Sequence, residues 1–314
     1  APGPPRAAGA PVEIVLQPGY ASGSVYAWRL RVHSVIRRSQ GAQQASATLD
    51  NRALVVMRVM SGGGPGVAAP APAVVTLHFA QYQTTVAGFG PLAAALRTSA
   101  AATDAAVRRM EPLTLRLTPG AAPQVVALGT PPAPRQARTM LRQLLSTAGL
   151  PLGAVRPGDT WRREVIQKLP QFHTSFPLAI TGRFAAWQRT RAGWQAAVHT
   201  TSGATVTLPP AAIPGFAAAA AAGYASQGQL RLDGQTDSRY DRQGILQAAQ
   251  SHTRTWLRLT LVGGPPAGAP EGAGAAPVPA QPTEMRVDST GSVRAIAPPL
   301  PPAAPPPSAD PDRG

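Results

Sequence analysis

Hydrophobic and polar residues alternate strictly in the first well-patterned stretch of the chain, Ser24 to Arg38. Tyr26, Trp28, Leu30, Val32 and Ile36 share one parity, and Arg29, Arg31, His33 and Arg37 share the other. A period of two belongs to a strand with one buried and one wet face. The design returns with Leu49, Ala53, Val55, Met57 and Val59 set against Asp50, Arg52 and Arg58, and stops at SGGGPG, Ser61 to Gly66. APAVVTLHFAQYQ, Ala71 to Gln83, predicts a third strand. Gly90 to Arg109 is Ala-rich without β-branched runs, which favours a helix.

Leu113 to Leu128 reads as a hairpin: Leu113, Leu115 and Leu117 precede a Pro-Gly turn and an apolar return strand. From Pro134 to Ala148 the period changes. Ala137, Met140, Leu141, Leu144 and Leu145 form the stripe of an amphipathic helix, predicted to lie against the sheet. Strand patterns resume at Trp161 to Leu169, Phe176 to Arg189 and Trp194 to Leu208. In the second of these Phe176, Leu178, Ile180, Phe184 and Ala186 share a parity, and the RAG turn at Arg191 to Gly193 predicts that it pairs with the third. Gly215 to Ala225 predicts a short helix, and strands follow at Gln229 to Tyr240, Ile245 to Val262 and Pro282 to Ile296. YDRQGIL and VDSTGSV both run Asp-x-x-Gly, at Asp241 to Gly244 and Asp288 to Gly291. Asp can brace a turn and Gly accepts positive φ, so both predict hairpin turns.

The pattern therefore predicts a mainly β (α+β) fold, a large antiparallel sheet with a few helices. Residues 1–11 and the Pro-rich 299–314 are expected to be flexible tails, and 12–298 a single domain. Its two halves join near 149–160, and 263–282 forms a low-complexity loop.

Composition narrows the function. The 314 residues carry a net charge of +15, almost all of the basic residues being Arg. This suits anionic partners, but is also what a GC-rich coding sequence produces, so it names none. The absence of Cys excludes disulfides, thiol catalysis and Cys-based zinc sites. APGPPRAAGAP at the start reads as the tail left by a removed signal peptide, which predicts export to the periplasm or outer envelope. No run reaches the roughly 20 apolar residues of a membrane helix, although peripheral attachment through a lipid anchor stays open.

The order of elements, RPGDTW (Arg156 to Trp161) before a strand, the Asp-x-x-Gly turns and the helix at Pro134 to Ala148 between two sheet halves together resemble the LolA/LolB and LppX group of bacterial envelope proteins and related uncharacterised exported lipoproteins. The resemblance covers Val12 to Pro298. It implies a curved half-barrel whose helices plug the concave face over an apolar cavity for acyl chains. No ligand-binding residue of that group maps onto this sequence.

In that frame the candidate cavity lining is Trp28, Leu30, Val55, Phe79, Phe176, Ile180 and Trp194. Arg29, Arg31, Arg37 and Arg38 are the candidate basic rim or face. Nucleic acid is not favoured, since the aromatic residues that would stack bases, Tyr26 and Trp28, sit on the parity opposite the arginines.

No cofactor or metal is predicted. Asp233, Asp237 and Asp241 lack the alternating ligands and central Gly of a calcium loop, and are expected on the wet side of a strand. The five histidines are scattered, with no H-E-x-x-H, and are expected at the surface. There is no G-x-S-x-G elbow and no Lys-Ser/Thr after the Gly-rich loop, so an enzyme is unsupported. RPGDTW reads as a structural joint, with Trp161 at a cavity mouth as the alternative. Three readings remain open: an exported non-enzymatic protein binding a lipid or other hydrophobic ligand, an envelope assembly component acting through protein contacts, and a binder of polyanions.

Overall fold

Period-two patterns of this length demand strands longer than the usual five or six residues. The computed structural model, which describes residues 9–63, 71–127, 134–169, 174–208, 225–262 and 282–298, contains them. In chain order the elements are β1 (Ile14–Val15), β2 (Val25–Gln40), β3 (Gln43–Ser61), β4 (Ala73–Gly88), α1 (Gly90–Arg108), β5 (Leu113–Leu117), β6 (Gln124–Ala127) and α2 (Arg135–Leu145). They continue as β7 (Ala154–Val155), β8 (Thr160–Leu169), β9 (Thr174–Thr190), β10 (Gly193–Leu208), β11 (Ala225–Tyr240), β12 (Leu246–Val262) and β13 (Thr283–Ile296).

Among the described residues eleven strands form one curved, open antiparallel sheet in the order β6-β5-β4-β3-β2-β13-β12-β11-β10-β9-β8, and β1 pairs with β7 apart from it. From β2, β3 to β6 lead to one edge in sequence, while β13 back to β8 lead to the other. The sheet is thus two meanders joined where the first long strand meets the last. At that seam Ser34 and Ser289 share a hydrogen bond of 2.8 Å.

Every strand pair keeps the faces apart. On the apolar face, the row Leu30, Val293, Ala249, Ser238, Val198, Phe184 crosses six strands in register. Three core clusters line this face. The largest joins Trp28, Leu30, Val55, Met57, Leu77 and Leu115 to Ala137, Leu141 and Leu145, the predicted stripe of α2. A second gathers Ile14, Leu16 and Val155 around Phe184, Trp187 and Val198. Ala10 is buried among them, so packed core reaches into the segment expected to be a flexible tail. The third cluster holds Phe176, Leu208, Leu230 and Leu257 at the opposite end of the strands.

The helix α1 lies against β4 and β3. β5 pairs only with Ala73 to Leu77, which leaves the rest of that β4 edge without a strand partner from β5. Asp104 of α1 accepts the Thr84 backbone N–H at 3.0 Å, so the helix satisfies part of that edge.

Three expectations need correction. Asp288 to Gly291 is not a turn: it lies inside β13, paired on both sides, because the flanking strands β12 and β2 continue past it. Its twin is a turn. The Asp241 carboxylate accepts the N–H groups of Gln243 (2.9 Å) and Ile245 (3.0 Å), and Gly244 has φ +75°. Asp241 has therefore left the strand face that carries Asp233 and Asp237. Finally, a bulge at Ala185 reverses parity in β9, so Trp187 joins Phe184 in the core, rings 5.4 Å apart, and Ala186 does not. The predicted helix at 215–225, apart from Ala225 in β11, the loop 263–281 and the tail 299–314 lie outside the described residues.

RPGDTW leads into the edge strand β8 through a hydrogen-bonded turn. Gly158 donates to the Phe184 carbonyl at 2.7 Å with φ +98°, and Asp159 Oδ2 accepts the Arg156 N–H at 2.8 Å. Trp161 donates its indole N–H to the Gly149 carbonyl at 2.9 Å and lays its ring over Gly182, where a Cβ would collide with it.

Burial pushes the Asp241 carboxyl above its ordinary range, outweighing the hydrogen bonds from Ile245, Gln243 and Gln247 that favour its charge. A raised folded value means the ionised group destabilises the fold above that value, and this is relieved as pH falls through it toward the unfolded value. Asp241→Asn keeps the turn acceptor without the charge. Its stability is expected to lose that gain on acidification, and Asp241→Ala to lose about 1–2 kcal/mol at neutral pH; urea unfolding from pH 7 to 4 checks both.

Candidate functional site

The seven candidate cavity residues fall into separate places. Trp28, Leu30 and Val55 are buried in the largest cluster, and Phe79 packs against it. Phe176 belongs to the third cluster, Trp194 packs against the second, and Ile180 is half-buried against Gly149. A void of about 20 Å³ beside Tyr20, Leu117 and Leu145 has room for little more than a water. Among the described residues, Trp28, Leu30 and Val55 thus share one packed cluster with α2.

The rest of the apolar face differs. Two rows of mostly small residues cross it as a waist: Val32, Gly291, Ser251, Thr236, Thr200, Gly182, and then Ser34, Ser289, Thr253, Gly234, Ser202. A Cβ on Gly234 would meet Ser202 Oγ, and one on Gly291 would meet Ser251 Oγ. Glycines at mid-strand are a means of curving a long sheet, and the chain supplies them along this band.

Beyond the waist the face turns apolar again. Ile36, Val287, Thr255, Leu232 and Ala204 form one cross-strand row, and Met285, Leu257, Leu230 and Val206 the next. Leu230 and Leu257 are buried, whereas Ile36, Val287, Leu232, Val206 and Met285 are only half-buried. Among the described residues neither helix shares a core cluster with these rows. The described residues thus place a band of mostly small side chains beside two apolar rows, of which Leu230 and Leu257 belong to the third core cluster and Leu232, Ala204, Val206 and Met285 pack against it.

The opposite face is polar. Arg29, Arg31 and Arg37 lie on it as expected, but Arg38 does not. By parity Arg38 sits on the apolar face beside Met285, at the strand end, with Gln40 at 3.5 Å. Two of the other three are matched by acids: Arg31 meets Asp50 at 3.4 Å and Arg37 meets Asp288 at 3.0 Å. The stripe is a charge-balanced face over much of its length.

Register also assembles what the sequence scatters. His33 reaches Asp50 at 3.3 Å, and His199 Nδ1 lies 2.8 Å from Asp237. Burial alone would raise the Asp50 carboxyl; the hydrogen bond and charge of His33, with Arg31, outweigh it and hold the group below its ordinary value. His33 and His252 flank Thr290 across three adjacent strands. They line an open hollow of about 520 Å³ with Arg31, Gln235, Gln250 and Thr290. A second hollow of about 400 Å³ continues it, sharing Asp237 and Gln250 and reaching His199. The parity of each histidine was legible in its strand. Which acids and strands stand beside it follows only from the register. Among the described residues no cluster of His, Asp or Glu is arranged to hold a metal ion, and no helix is long and apolar enough to cross a membrane.

No protein-family model matches the chain, and no protein of curated function matches its sequence. Among solved structures it is similar to lipovitellin, described by its lipid–protein interactions, at 13% identity over 91% of this chain and 26% of that one, with a TM-score of 0.46. It is also similar to the COG4313 outer membrane channel from Pseudomonas putida F1, at 10% identity over 89% and 98% of the two chains, TM-score 0.22. DynF from the dynemicin biosynthesis pathway of Micromonospora chersina matches at 11% identity over 95% and 92%, TM-score 0.21. The chain thus spans only 26% of the lipovitellin chain. These likenesses are distant.

Proposed function

We propose that this chain is an exported, non-enzymatic binding protein of the bacterial cell envelope that holds an acyl chain or similar apolar ligand on the apolar face of its curved sheet. One observation carries the reading: the half-buried Ile36, Val287, Leu232 and Ala204, in one row with Thr255, lie beside a band of mostly Gly, Ser and Thr, on the part of the apolar face whose clusters, among the described residues, include neither helix. Small side chains leave room, and each methylene withdrawn from water there contributes about 0.8 kcal/mol. The resemblance to the half-barrel envelope carriers supports the same ligand class and an envelope location.

The test is mass spectrometry of an organic extract from protein purified without detergent. A stoichiometric lipid is the expected result, and Leu232→Glu is expected to abolish uptake of a fluorescent fatty-acid probe while the protein still unfolds cooperatively. Protein that is empty and takes up no probe would remove the carrier reading. A second reading, an assembly component acting through protein contacts, is favoured by the burial of Trp28, Leu30 and Val55 in packed core. In that case the extract is empty and the chain is recovered in complex with an envelope protein.

A further inference from the structure

We infer that the hollow on the polar face is a second binding site, for a phosphate group carried as a monoester or as a lipid headgroup. The inference is independent of the carrier reading, because the hollow lies on the opposite face of the sheet from those apolar rows. Its volume, about 520 Å³, falls in the range of small-molecule sites, and four strands build it. Arg31 and His33 come from β2, Thr290 from β13, Gln250 and His252 from β12, and Gln235 from β11.

The chemistry of this lining selects for an oxyanion. Guanidinium, imidazole, amide and hydroxyl groups all supply N–H or O–H donors, and a tetrahedral oxyanion accepts from several directions at once. One carboxylate, Asp237, is itself part of the lining, and each carboxylate at the hollow has a histidine partner. Asp237 lies 2.8 Å from His199 Nδ1, and Asp50, adjacent to the hollow, is held by Arg31 and His33. The Arg31–Asp50 contact is a single exposed one at 3.4 Å, with the arginine side chain 56% exposed. An exposed pair of this kind is weak, so Arg31 can turn to an anion while His33 keeps Asp50. The rigidity comes from the ladder: His33, Thr290, His252 and Gln235 stand directly opposite one another on four consecutive strands.

Titration calorimetry with inorganic phosphate and with glycerol 3-phosphate tests the site, alongside sedimentation with phosphatidylcholine vesicles with and without phosphatidic acid. Saturable binding is expected, weakened about tenfold or more in Arg31→Gln, the worth of one charge-assisted hydrogen bond. Arg31→Lys is expected to recover part of the loss, His252→Gln to weaken binding severalfold, and Arg116→Gln on β5 to bind as the unsubstituted protein does. Binding of the soluble phosphates identifies a free monoester as the source. Binding confined to phosphatidic acid vesicles, with the same dependence on Arg31, identifies a headgroup. Absence of binding to any of these probes overturns the inference. So does binding that Arg116→Gln and Arg31→Gln weaken equally, because general positive charge would then account for it. Unchanged thermal unfolding of Arg31→Gln separates loss of the site from loss of the fold.

Discussion

Trp28→Ala is expected to remove about 5 kcal/mol of stability, which for a domain of ordinary stability leaves the native state barely populated. The residue is 1% exposed on β2, between Val55 of β3 and Ala295 of β13. Its ring stacks on Tyr26 at 6.0 Å, and Tyr26 meets Tyr20 edge-on at 5.6 Å. Truncation opens a cavity at the middle of the largest cluster, worth about 3–5 kcal/mol by itself. It also strips the Leu246 carbonyl of the indole N–H that meets it at 2.9 Å, adding about 1–3 kcal/mol if no water replaces it. That bond ties β2 to the start of β12, 218 residues away. Trp28→Phe keeps most of the burial and loses the bond, so it is expected to fall between. Urea unfolding of the three proteins measures this; a loss below about 2 kcal/mol in Trp28→Ala would show that the cluster relaxes around the missing ring.

The second large effect is expected from Gln17→Leu, at about 3 kcal/mol. Gln17 is 2% exposed and polar, a combination that persists only when both ends of the amide are satisfied. Its Nε2 donates to the Pro151 carbonyl at 3.0 Å and lies 3.4 Å from that of Leu150; its Oε1 accepts the Gly120 N–H at 2.8 Å. One side chain therefore joins the N-terminal segment, the β5–β6 turn and the connection from α2 to β7. Leucine fits the volume but leaves the Gly120 N–H with only the Thr147 hydroxyl, at 3.2 Å, and the Pro151 carbonyl without this donor. Removing one partner costs more than the bond contributed, because the other is stranded out of water. Besides the lower unfolding midpoint, amide exchange is expected to speed up at Gly120 before the long strands are affected. Uniform acceleration across the sheet would instead mean that Gln17 stabilises the domain as a whole.

Both residues show where the sequence stops being informative. The parity of Trp28 is plain from its neighbours, and so is its burial. Its hydrogen-bond partner lies in a strand edge that no local pattern connects to it. Gln17 carries no signal at all: a single polar residue in an irregular segment looks like any surface glutamine until three loops converge on it.

The candidate site divides in the same way. Alternation placed Arg31 and His33 on the wet face of β2 and Ile36 on the dry one, and the stripe of α2 was complete in Ala137, Leu141 and Leu145. It could not place Arg38, where an exposed strand end tolerates a charge on the apolar face. It could not see the bulge at Ala185 that exchanges Ala186 for Trp187, since one extra residue reverses every later side chain. Nor could it tell that Asp241 braces a turn while Asp288, in the same Asp-x-x-Gly setting, lies inside a strand. Turn residues only permit a turn. Whether one forms depends on whether neighbouring strands continue past it.

What the sequence determined by itself is the set of faces: long strands with one apolar and one polar side, an amphipathic helix to cover part of the apolar side, and no thiol chemistry. These follow from side-chain periodicity and composition, which are local. Tertiary structure alone decided which face residues meet. Pairing β2 with β13 brings together segments about 250 residues apart in the chain, and only that pairing sets the cross-strand apolar rows and the His33, Thr290, His252 ladder. Register is a property of two strands at once, and one strand's pattern repeats every two residues, so many registers satisfy it equally until the whole sheet is packed.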